Sequence, residues 1–149
     1  EEVGIEKLEK TIVTRKFLKT NFTKTTINED VNFTDIGKNV EILKSNLIIS
    51  NIEKKISYNK ILAKAEANLD ILYLCENQIK KFNTKIPVMS FIEMEDAKEE
   101  NEIELNYKIR KAKISNNIFE KGCIGCDFEI EITCSMYEKK RNKIDSRFI

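Results

Sequence analysis

Side-chain alternation constrains this chain more than any other feature. From Ile61 to Cys75 the odd positions read Ile61, Ala63, Ala65, Ala67, Leu69, Ile71, Tyr73 and Cys75, with Lys64, Glu66, Asn68 and Asp70 between them. A period of two places successive side chains on opposite faces of an extended backbone, so the segment is predicted to be a strand with one buried face. The same pattern recurs at Phe128, Ile130, Ile132, Cys134 and Met136, and again at Ile103, Leu105, Tyr107 and Ile109, each interleaved with polar residues.

Further strands are predicted over Val40–Ile52, with Ser50-Asn51 as a bulge, and over Ile79–Val88, which runs into Pro87, the single proline. Residues Ile12–Phe22 fit either an edge strand or an extended arm, with pairing inside the chain as the default. Ser90–Glu100 has the composition of a short helix or a wide loop. Glu76-Asn77-Gln78 is suited to a hairpin, and Asn116 through Gly125 to a longer loop. Strands joined by short connections imply an all-β fold, an antiparallel β-sandwich or open barrel of about five to seven strands with one short helix or long loop. The expected organisation is an N-terminal strand or arm over 1–35, a β domain over 36–140 and a basic tail over 141–149.

Composition removes several function classes. The 149 residues suit one domain. Histidine is absent, which takes away the general base of Ser/His and Cys/His catalysis and the commonest metal ligand. Basic and acidic residues number 26 and 25, a balance that lacks the electrostatic footprint of nucleic-acid binding. The four glycines, Gly4, Gly37, Gly122 and Gly125, form no phosphate-binding loop. No apolar run reaches the ~20 residues of a membrane-spanning helix, so a soluble chain with no membrane span is expected. Lys, Ile and Asn make up roughly 40% of the residues, a bias toward A/T-rich codons. The chain opens on Glu1 and reads as a processed or trimmed piece.

The order of several segments is distinctive. Ile71-Leu72-Tyr73 closes a long alternating strand and a charged hairpin follows. Then come Ile86-Pro87-Val88-Met89-Ser90-Phe91-Ile92-Glu93, an acidic stretch around Ala97, and an alternating strand from Glu129 to Tyr137. Over roughly residues 36 to 140 this succession resembles the SPOCS domain, the spore-coat-associated module of clostridial and related endospore formers. The resemblance implies synthesis in the mother-cell cytoplasm and a place in the endospore surface layers, coat or exosporium. It implies work through contacts with other envelope proteins or with copies of itself, and no catalytic reaction.

Cys75 and Cys134 fall on the apolar sides of their strands and read as small core residues. Cys123 and Cys126 fall in the predicted loop, where exposed thiols are expected. One CxxC with no histidine falls short of zinc-knuckle spacing, and an all-β setting does not suit a thioredoxin-like motif. In a crosslinked envelope of the kind the resemblance implies, Cys123 and Cys126 are the candidate inter-subunit disulfide partners, with free or locally paired thiols as the alternative.

Charge is uneven along the chain. Glu95, Asp96, Glu99 and Glu100 lie in an acidic stretch that lacks the spacing of a calcium loop, and Lys139, Lys140 and Arg141 open a basic one. They are either solvated surface or complementary patches that set the register of a subunit contact, and such a contact would be salt-sensitive. The expectation is therefore a non-catalytic structural or assembly protein of the endospore envelope (coat, exosporium or surface appendage), with no cofactor, self-associating or bound to other envelope proteins. The alternatives are an adaptor domain that docks a larger coat morphogenetic protein onto the scaffold, and a glycan-binding sandwich.

Overall fold

A computed structural model describes residues 9–32, 39–117 and 123–145. They form six strands: β1 (Glu9–Asn32), β2 (Val40–Ser57), β3 (Lys60–Cys75), β4 (Gln78–Glu93), β5 (Glu102–Asn117) and β6 (Cys123–Asp145). Each has 16 to 24 residues, well beyond the usual 3 to 10. Glycine and proline are the residues that interrupt extended chain, and five between them leave little to stop a strand. Every predicted strand is present and longer than predicted. Ile12–Phe22 lies within β1, paired inside the chain to β6.

All pairings are antiparallel, in two three-stranded sheets of order β1-β6-β5 and β2-β3-β4. The sheets approach where β1 runs beside β4 and β2 beside β5, which places the central strands β6 and β3 back to back. The result is an open sandwich, not a closed barrel.

Its core is built from the two alternating rows. The odd residues of β3 from Ile61 to Cys75 are buried, and so are the even residues of β6 from Ile124 to Met136. Ala63, Ala65 and Ala67 make the β3 row low in its first half, while Phe128, Ile130 and Ile132 make the β6 row tall; alternating small and large residues across facing sheets is how layers reach interior packing density.

The turns follow local chemistry. Glu76 and Asn77 both take positive φ, 50° and 65°, the geometry of a two-residue hairpin whose twist matches its strands. Asn51, at φ 52°, lies where the β2–β3 register shifts between Ser50 and Glu53, so the bulge predicted at Ser50-Asn51 is present. Asn59, in the β2–β3 turn, accepts the Met94 N–H on its carbonyl (2.9 Å) and the Asp96 N–H on Oδ1 (3.1 Å), tying that turn to the β4–β5 connection.

Of the short helix or wide loop expected over Ser90–Glu100, the loop is what forms: β4 continues to Glu93, and a connection of turns, anchored by buried Met94, follows it. The long loop predicted from Asn116 to Gly125 needs correction. β5 reaches Asn117, and Cys123 to Cys126 already pair with Asn32 to Glu29 of β1, so partners on both sides override a weak local strand propensity. The rest of that loop, with Gly122, lies outside the described residues, as does Arg147 of the basic tail. Residues 141–145 of that tail belong to β6.

Removing the ring in Phe128→Ala should cost about 3–5 kcal/mol. Enlarging the opposing row in Ala67→Leu should cost about 1–3 kcal/mol through overpacking. Denaturant unfolding followed by far-UV circular dichroism measures both.

Candidate functional site

The strand ends bring the charged segments together. β5 pairs with β6 from Cys123 to Tyr137, so among the described residues Glu138–Asp145 of β6 continue with Glu9–Lys16 of β1 as their one sheet partner. This two-stranded ribbon is eight residues a side and extends about 26 Å past the start of β5. Lys139 and Lys140 are exposed on it, and Arg141 stands opposite Val13 in the register.

The acidic residues occupy the connection between β4 and β5 at the same end of the molecule. Glu95, Asp96, Glu99 and Glu100 are exposed there. Lys19 Nζ donates to the Glu95 carbonyl at 3.0 Å and lies 3.6 Å from Asp96 Oδ2. Glu99 and Lys139 line one shallow depression of about 550 Å³, together with Lys54, Lys55 and Glu102. The two predicted patches are therefore neighbours within one chain.

Sequence reasoning passed over the residues that fix the root of the ribbon. Arg15 sets its guanidinium 4.4 Å from the centroid of the Tyr137 ring, and its Nη1 reaches Glu102 (3.4 Å) and Glu104 (3.7 Å) on β5. Phe17 packs edge-to-face on the same ring at 5.8 Å. Exposed ion pairs contribute ~0–1 kcal/mol each, so the cluster orients the ribbon more than it stabilises the fold. The signal was available: Arg15 and Phe17 sit on one side of the alternating Ile12–Phe22 segment.

The outer face of the β1-β6-β5 sheet is a charge ladder. Asp127, Glu129 and Glu131 run down β6, with Lys113, Lys111 and Lys108 opposite on β5 and Lys24 opposite Glu131 on β1. Arg110 binds Glu131 through Nε and Nη2 at 3.1 and 3.2 Å. The outer face of the other sheet is partly apolar. Phe91 and Met89, 54% and 62% exposed, lie across from Leu62 and Lys64.

The cysteines depart from expectation. Cys123 and Cys126 are 5% and 1% exposed on β6, so the predicted exposed thiols are buried ones, and Cys75 and Cys134 are buried as predicted. All four are free thiols. Burial, reinforced by Glu29, Asp30, Asp127 and Cys123, pushes the Cys126 thiol up to about 11. Burial also pushes Cys134 up to about 11, against a small opposing effect of Lys54. Among the described residues no group of three or more His, Cys, Asp or Glu converges as a metal site, and no helix is long and apolar enough to cross a membrane.

A protein-family model described as the SPOCS domain of SipL matches residues 40–117, just over half of the chain, which covers β2 through β5. The chain belongs to this sporulation-associated family, in agreement with the resemblance in its sequence. Neither a search of curated proteins nor one of solved structures returns a match.

The buried thiols carry a pH signature. Their folded pKa values lie above the ordinary value of 9, so the unfolded chain loses those protons first as pH rises. The stability they contribute is complete below about pH 9 and is lost between about 9 and 11. The thermal midpoint should fall across that window, and less so in a Cys126→Ala, Cys134→Ala variant. Iodoacetamide at pH 8 should leave both thiols unmodified until urea is added, as read by mass spectrometry.

Proposed function

We propose that the chain is a non-catalytic structural module of the bacterial endospore envelope, in coat, exosporium or surface appendage, acting through protein–protein contacts and self-association. Membership of the SipL SPOCS family supports the sporulation setting. The observation that carries the contact role is the placement of exposed acidic and basic segments around a projecting ribbon, beside a second sheet whose outer face leaves Phe91 and Met89 in water. Exposed apolar side chains grouped within charged surroundings are the composition of a contact surface.

Charged contacts between copies weaken as salt screens them. Light scattering of the purified chain should show large ordered assemblies at low ionic strength that shrink when salt is raised through the physiological range. A monomer or dimer at every salt concentration would remove self-association and leave docking of a larger coat protein as the role.

A further inference from the structure

Each outer strand of the sandwich body carries an interruption that blunts strand addition. β1 bulges at Leu18, β2 at Leu43 and again at Asn51-Ile52, and β5 at Arg110; β4 carries Pro87, which has no N–H to donate. The ribbon differs. From Glu138 to Asp145 the register of β6 against β1 is unbroken, and among the described residues no strand fills the lane that β5 occupies further down.

The direction of the backbone groups can be read from side-chain bonds. The Thr20 and Thr14 hydroxyls on β1 donate to the carbonyls of Cys134 and Lys140, at 3.1 and 3.5 Å, so the even residues of β6 turn their backbone groups toward β1. The alternation of an antiparallel strand then turns those of Lys139, Arg141 and Lys143 toward the open lane.

We propose that this edge of β6 is a docking site for an extended acidic segment of a partner protein, which continues the lane of β5 as an added antiparallel strand. Main-chain hydrogen bonds would hold it, and its carboxylates would stand across from a ribbon with seven Lys or Arg against three Asp or Glu. A second copy is the poorer occupant. Its own β6 edge would set Lys139–Lys143 against themselves, and its body edges are the interrupted ones. The inference deepens the protein-contact reading above and rests on it.

The test is fluorescence anisotropy of the full chain with a labelled peptide of about ten residues that alternates Glu with Val and Thr, against a counterpart carrying Lys in place of Glu. The Glu peptide should bind saturably and the Lys peptide about tenfold more weakly or not at all. Arg141→Pro removes one N–H from the open edge while sparing the β1 ladder. It should weaken binding about tenfold at an unchanged thermal midpoint, whereas Arg141→Ala, which keeps the N–H, should stay within about threefold of the parent. Lys143→Pro, of the same parity, replaces Arg141→Pro if that variant unfolds. Equal binding by the proline variants, equal loss in Arg141→Ala, or equal binding of the two peptides would overturn the proposal. So would dimerisation that Arg141→Pro abolishes in a chain that binds neither peptide, since the occupant would then be a second copy. Light scattering reads the self-association above without the peptide, so the two readings fail separately.

Discussion

The packing of β3 against β6 is the interaction on which the rest depends. Each is the middle strand of its sheet, and each buries one continuous row of side chains, Ile61 to Cys75 on one and Ile124 to Met136 on the other. Full burial of a large aliphatic or aromatic side chain contributes about 1.5–3 kcal/mol, so these rows outweigh any set of exposed ion pairs on the molecule. With the two rows in place the outer strands need only half a core face each. They can carry bulges, lysines and glutamates on the other side. The same division lets β6 run past the body, since among the residues whose side chains are described its buried row ends at Met136.

Much of this organisation was legible in the chain. The rows at Ile61–Cys75 and Phe128–Met136 are visible because burial on one face imposes a strict alternation, and both central strands follow from it. The bulge at Ser50-Asn51 and the hairpin at Glu76-Asn77 were also readable, since Asn tolerates positive φ. The extensions were not. Gly125 and two cysteines look like a loop in isolation, and Lys139–Asp145 look like a solvated tail, because the β1 residues that make both extended lie far back in the chain, Asn32 opposite Cys123 and Glu9 opposite Asp145. Buried Met94 shows the same limit: it pins a connection whose local composition suits a helix.

The charged surface proposed for contacts was legible in its parts and not in its arrangement. Composition marks Glu95–Glu100 as acidic and Lys139–Arg141 as basic, but only the antiparallel register brings them to one end. There Lys19 already engages Glu95 and Asp96, and Glu99 shares a depression with Lys139. Part of the acidic charge is thus used within the chain, and the ribbon's own sequence holds more basic than acidic residues. The cysteines moved the other way, from an expected surface role to a buried one, because β6 begins earlier than its local sequence suggests.

Amide hydrogen exchange tests the central account most directly. If the β3–β6 pair holds the sandwich together, amides of Lys60–Cys75 and Cys123–Tyr137 should exchange slowest and only through global unfolding. Those of β2 and of the ribbon beyond Glu138 should exchange sooner through local opening. Slowest exchange in β1 or β2, with β3 no better protected than the outer strands, would contradict the account.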